Sequence, residues 1–245
     1  VEKNSENIAC LIMEPMSFEA PKGNYLKAVR DLCTKSNIVM IFDEVITGFR
    51  FDLGGAQNLF KVTPDLTCLG KAMGNGMPIS ALLGRQEIMK KFEDVFFSST
   101  FGGETLSLAA AIATIEKLDR TKAIEKINAL GSSLNSKVDE LIVKHNLSDA
   151  LCLSGLPQWT RLQIKDQSPQ VNETIKTFLI ESMIENGILY QCTHNITWSL
   201  TDEDISNIVD AYDNTFDKLQ RHLRLNTLSQ ALKGKTIKPI FAVRS

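Results

Sequence analysis

No stretch of the chain approaches the roughly 20 consecutive apolar residues that a membrane span requires, and the N-terminus carries no basic, then apolar, then small-residue signal. The expectation is a soluble, cytoplasmic protein with no membrane partner. An excess of one charge is also missing: 27 Lys and Arg stand against 29 Asp and Glu, a formal net charge of -2, mixed along the chain. No field is set up that would draw nucleic acid or an anionic lipid surface. Cysteine is confined to five scattered residues, Cys10, Cys33, Cys68, Cys152 and Cys192, an odd number without a CxxC pair. They read as reduced, structural thiols. The three histidines, His145, His194 and His222, have no nearby His, Cys or paired carboxylate at metal-ligand spacing. No metal is expected. Repeats and low-complexity tracts are absent as well. So is a starting methionine: the chain opens on Val1 and enters an apolar run at Ile8, which suggests a start cut from something longer.

What is present is a globular composition, with 43% apolar residues over 245 positions, enough for one large core or two smaller ones. The first half alternates apolar runs, "IACLIM" (8–13) and "IVMIF" (38–42), with a helical pattern near 23–36. Continuous apolar strands separated by helices predict an α/β unit with a parallel sheet covered on both faces. "DLTCLG" and "SALLGR" supply further strands, and "TLSLAAAIATIEKL" (105–118) reads as a helix whose weakly polar faces argue for burial. Near residue 120 the texture changes. Ile124, Ile127, Leu130, Leu134, Val138 and Leu141 form one helical stripe. A strand at "QWTRLQI", a helix near 172–186 closed by Gly187, and a strand pair in "GILYQCTHNITWSL" follow. Thr201 then caps a helix with acidic side chains in its first turn.

Two strand ends carry the candidate chemistry. In "IVMIFDEVITGFR", Asp43 and Glu44 follow a buried strand, and in open α/β sheets ligands bind beyond the carboxyl ends of strands. In "DLTCLGKAMGNGMP", Lys71 stands where an apolar run meets Gly74 and Gly76, which allow close backbone approach. A lone lysine at a strand end reaching water is the plainest reading. An acidic pair after a strand also suits a nucleotide triphosphatase, but the required G-x-x-x-x-G-K-[ST] loop is not upstream: Lys71 lies downstream, is followed by Ala72, and has Asp65 where the first glycine belongs. A carbonyl cofactor such as pyridoxal phosphate needs an amine for its aldehyde and an acid for its pyridine nitrogen. Asp43 and Lys71 supply both. An amine nucleophile must also be desolvated or set beside positive charge, and Leu69, Ala72 and Met73 are apolar neighbours.

The stretch "IFDEVITGFRFDLGGAQNLFKVTPDLTCLGKAMGNGMPISALLGR" resembles the core of the class III pyridoxal-phosphate aminotransferases, in the branch of glutamate-1-semialdehyde aminomutase and its aminotransferase relatives. The similarity runs from "IMEP" through "FFSSTFGGETLSLAAA" to "TIKPIFAVR". It implies fold type I: the C-terminal part of a large, mainly parallel, cofactor-binding sheet domain over 1–120 and an α+β C-terminal small domain over 121–245. It makes Lys71 the lysine that carries the cofactor as a Schiff base and Asp43 the partner of the pyridinium nitrogen. Val45 resembles the valine against one ring face, and Thr100 the threonine that contacts the cofactor phosphate of the neighbouring subunit, which implies a homodimer.

Some positions depart from that pattern. Many members read Ser-Gly-Asn-Pro after the threonine, where this chain has Gly102, Gly103, Glu104 and Thr105. The family's phosphate cup, expected well before "IMEP", is not supplied. Glu14-Pro15 matches the family and also suits an ordinary strand-ending turn, while Arg50 and Gln57 lie near enough in sequence to be weighed as substrate contacts. The resemblance implies transfer of an amino group between a small-molecule amino donor and a carbonyl acceptor. The alternatives are a 2,1-aminomutase and a non-catalytic fragment.

Overall fold

The computed structural model describes residues 1–165 and 168–238, so that the last part of the "TIKPIFAVR" match lies outside the described residues. The chain divides into two units, Val1–Lys126 and Ile127–Ser245.

The first unit is built on a four-stranded sheet. Strands β1 (Cys10–Met13), β2 (Val39–Asp43) and β3 (Leu66–Leu69) run parallel, and β4 (Ala81–Gly84) pairs antiparallel with β3. Helix α1 (Tyr25–Lys35) makes the crossover that a parallel β1–β2 pair demands, and its Leu26 and Cys33 pack on Ile38, Met40 and Phe42. Alternation along β2 sends Met40 and Phe42 to that buried face. The opposite face is less covered than the apolar runs predict: Ile12 of β1 is 61% exposed. Short helices α2 (Gly55–Phe60) and α3 (Gln86–Met89) follow β2 and β4, and α4 (Thr105–Arg120) ends the unit's regular structure.

Helix α4 corrects the burial expected of it. Only Ser107 and Ala111 are buried, while Leu106 and Ile112 are 62% and 60% exposed. Alanine lets one flank pack closely and leaves the larger aliphatics on the other. Glu104, which departs from the family pattern, caps this helix: its carboxylate accepts from the Leu106 and Ser107 amides at 2.7 Å each.

The second unit has helix α5 (Ala123–Lys144), which begins just before the boundary, an antiparallel sheet of β5 (Leu151–Leu156), β6 (Trp159–Ile164) and β7 (Thr193–Asn195), and helices α6 (Pro169–Glu185), α7 (Asp202–Leu225) and α8 (Leu228–Ala231). The stripe of α5 enters the core through Ile127, Leu130, Leu134, Val138 and Leu141, against Leu179 and Met183 of α6 and Tyr212 and Phe216 of α7. Thr201 closes a reciprocal capping box with Asp204. The strand pair expected in 187–200 is a single three-residue strand, β7. Its partner strand is β6, and β5 sits on the far side of β6.

Among the described residues no helix is long and apolar enough to cross a membrane.

Candidate functional site

Parallel strands place their carboxyl ends side by side, and the first unit uses that to gather three of the singled-out residues. Asp43 is the last residue of β2 and stands opposite Cys68 of β3. Gly70 and Lys71 follow β3 directly. Asp43 Oδ1 accepts from the Val45 amide at 3.0 Å, an Asx-type turn that bends the chain back over the strand end. A Cβ placed on Gly70 would meet Val45 Cγ1 at 3.5 Å. Val45 therefore lies against the residue that precedes Lys71.

Lys71 begins a short 3-10 turn, Lys71–Met73, with φ +40. A left-handed backbone costs a non-glycine residue free energy, and such residues cluster where a side chain must be held in place. The side chain of Lys71 is exposed and that of Met73 is buried. The apolar sequence neighbours thus do not desolvate the amine in this chain, because a three-residue turn sends 71 and 73 to different sides. The flanking glycines serve the turn itself: a Cβ on Gly74 would lie 2.5 Å from Met77 O, and Gly76 has φ +110. Helix α4 packs against this turn. Thr100 is exposed in the segment that leads into α4, and among the described residues no hydrogen bond or ion pair joins it to Asp43, Val45 or Lys71.

Gln57 and Glu44 make contacts within the unit's own framework. Gln57 turns its amide to Thr67 Oγ1, donating at 3.2 Å, so its side chain braces β3. Burial lowers the Arg50 guanidinium from its ordinary value. Glu44 is fully buried and accepts from the Ala56 amide at 2.5 Å, the Gln57 amide at 3.0 Å and Thr47 Oγ1 at 2.9 Å. Sequence reading grouped it with Asp43 as an acidic pair; full burial of Glu44 beside a half-buried Asp43 parts them.

At the other end of the same strands a cleft of about 560 Å³ opens between Arg30, Asn37, Thr63 and Arg85. Its charged groups are already paired. Asp65 accepts from Arg30 Nη1 at 2.8 Å, Arg85 Nη1 at 3.0 Å and the Met40 amide at 2.7 Å. Burial pushes the Asp65 carboxyl up, and these hydrogen bonds outweigh it and leave it below its ordinary value. The strand carboxyl ends, with a carboxylate, an amine and a strained backbone, are the stronger candidate.

Comparison with known proteins identifies the family. The family model described as aminotransferase class-III matches residues 1–215. A 3-aminobutyryl-CoA aminotransferase from Cloacimonas acidaminovorans is 33% identical, over 91% of this chain and 56% of its own length. A glutamate-1-semialdehyde 2,1-aminomutase from Archaeoglobus fulgidus is 35% identical, over 86% of this chain and 54% of its own. The chain therefore spans a little over half the length of these relatives. Among solved structures, an omega-transaminase from Sphaerobacter thermophilus superposes with a TM-score of 0.80 at 23% identity, over 90% of this chain and 54% of that one. Acetylornithine aminotransferase from Elizabethkingia anophelis gives 0.76 at 29%, over 89% and 58%. Matched by the family model over most of its length and by relatives more than 30% identical, the chain belongs to the class-III aminotransferase family.

Proposed function

We propose that this chain is the cofactor-lysine half of a pyridoxal 5'-phosphate-dependent aminotransferase, with residues 1–120 the C-terminal part of the large domain and 121–245 the small domain. The observation that carries the reading is the convergence of Asp43, Val45 and the residue pair Gly70-Lys71 at two adjacent strand ends. The donor set fits the group: Asp43 keeps Oδ2 without a hydrogen bond among the described residues, Val45 offers a flat aliphatic surface, and Lys71 brings a primary amine. When bound, the cofactor supplies an aldehyde and an electron-withdrawing ring.

Each residue then has a task of its own. Asp43 holds a proton on the ring nitrogen through its carboxylate. Val45 packs on one ring face, and Thr100 serves the phosphate of a second copy. Lys71 would hold the cofactor through Nζ, and the same amine would serve as the base and acid that moves a proton at the substrate carbon bearing nitrogen. The substrates are a small-molecule amino donor and a carbonyl acceptor. A homodimer is supported by the exposed apolar side chains Val95, Phe96, Phe97, Phe101, Leu106 and Ile112 of the first unit, since isolated proteins seldom leave much apolar surface uncovered.

Titration of the chain with pyridoxal 5'-phosphate tests the reading. A yellow chromophore, and borohydride trapping of the adduct at residue 71 by mass spectrometry, are expected for the wild type and lost in Lys71→Ala. An adduct spread over surface lysines and unchanged by Lys71→Ala would sink it. The aminomutase relatives support a second outcome of the chemistry. A free oxo acid product indicates transfer, and an isomer of the substrate indicates the mutase.

A further inference from the structure

Glu44 is fully buried with three hydrogen bonds to its side chain, and the proposed reaction gives it no task. Its surroundings suggest one. Its amide donates to Cys68 O at 3.0 Å, which carries the β2–β3 pairing one residue beyond Asp43. Its carbonyl accepts from the Gly48 amide at 2.8 Å. Its side chain, 0% exposed, takes the Ala56 and Gln57 amides and the Thr47 hydroxyl. One residue thus fastens both ends of the loop 45–54, the near end at Thr47 and Gly48 and the far end at Ala56 and Gln57.

Two glycines show how closely this fastening is fitted. Gly55 has φ +77, and a Cβ there would come within 2.4 Å of Glu44 Oε2. A Cβ on Gly48 would lie 2.7 Å from Glu44 O and 2.6 Å from Leu69 Cδ2. Leu69 ends the strand that leads to Lys71. The loop is therefore pressed on both the Asp43 strand and the Lys71 strand, with Glu44 at the centre.

Asp43 ends β2 half-buried, Glu44 next to it is fully buried, and the chain then turns with the Asp43 carboxylate accepting from the Val45 amide at 3.0 Å. Fixing Glu44 fixes where its two neighbours point. A buried carboxylate stays where it has donors, because leaving them unpaired is costly. We infer that Glu44 is a positioning residue, which holds Asp43 and Val45 in register with Lys71 without touching cofactor or substrate. This rests on the cofactor role given above to Asp43, Val45 and Lys71.

The test compares the full chain as wild type, Glu44→Gln, Glu44→Ala and Asp65→Asn, each titrated with pyridoxal 5'-phosphate and followed by chromophore absorbance, trapped adduct at Lys71 and thermal melting. Asp65 is also a buried carboxylate, at the other end of the strands, so its variant reports loss of stability alone. Misplacement by about 1 Å at a reacting site costs up to ~100-fold. Accordingly Glu44→Ala is expected to weaken uptake by ~10- to 100-fold, and Glu44→Gln, which keeps one acceptor, by less. Asp65→Asn is expected to lower the melting temperature while its uptake stays within about twofold of wild type. All uptake is measured below every variant's melt. If the wild type forms the adduct and both Glu44 variants match it, or follow Asp65→Asn, the positioning role falls and the cofactor reading stands. A wild type that forms no adduct at Lys71 overturns both.

Discussion

Asp43 and Cys68 face each other across the last rung of the β2–β3 ladder. Burial raises the Cys68 thiol above its ordinary value, and the Asp43 charge raises it further. Cys68 is thereby a built-in probe of the carboxylate assigned to the ring nitrogen. Replacing Asp43 by Asn should lower the pH at which Cys68 becomes alkylated, without returning it to that of a free thiol, since burial is the larger cause. Site-resolved alkylation by mass spectrometry against pH checks this, with the exposed Cys10 as internal reference. An unchanged Cys68 profile would mean that the two side chains do not sense each other.

Asp65 ties the opposite end of the sheet. Its side chain is 7% exposed and is bonded by two guanidinium groups and one amide. Removing one partner of a buried ion pair strands the others, and Asp65→Asn should cost about 3 kcal/mol in denaturant unfolding. The folded carboxyl is held below its ordinary value. Its contribution is therefore full above the unfolded pKa of roughly 3.9 and is lost as pH falls through the folded one. The gap between wild type and variant should be constant near neutrality and close in strong acid. A gap that widens on acidification would contradict the assignment.

How much of this was legible in the sequence follows from the range of the interactions involved. The strands around Met40 and Phe42, the α5 stripe and the Thr201 cap obey local periodicity and capping chemistry, and the structure contains them where the pattern puts them. Asp43 and Lys71 were readable as strand-end residues for the same reason. The task of Glu44 was not, because its donors come from residues 47, 56 and 57, and nothing local marks which of two adjacent acids turns inward. The exposure of α4 was misread since composition reports what a helix is able to bury, and the neighbour that would cover it is not written in the helix. The positive φ of Gly55 is a signal that was present, as "GG" before "AQNLF", and its partner was hidden.

The apolar flank of the first unit gives a prediction about assembly. Phe96 is 97% exposed, and Ile112 lies on the open side of α4. If a second copy covers this surface, the chain sediments as a dimer at micromolar concentration. Phe96→Asp combined with Ile112→Asp should shift it to monomer with its melting temperature little changed, because neither side chain contributes to the unit's own core. Equal sedimentation of wild type and double variant would remove this surface as the dimer contact.

His194 gives the second unit a sensitivity to mild acid. Its Nε2 shares a hydrogen bond of 2.6 Å with Tyr212 OH, its Nδ1 has no partner among the described residues, and burial pushes the imidazole down to about 4. Around it stand Tyr190, Tyr212 and Cys192, whose groups are all raised, Tyr190 and Tyr212 by burial first and Cys192 up to about 11 by the same cause. None of these three titrates between pH 4 and 7. In the unfolded chain the imidazole takes a proton below about pH 6.5, and in the folded protein it does not until the pH nears its depressed value. Stability from the neutral ring is therefore complete above about 6.5 and drains away through the window below, by on the order of 3 kcal/mol. His194→Gln, which still offers Tyr212 an acceptor, should be less stable at neutrality yet nearly flat across that window. Urea unfolding at half-unit steps of pH reads the two slopes directly, and parallel slopes would show that some other group carries the acid response.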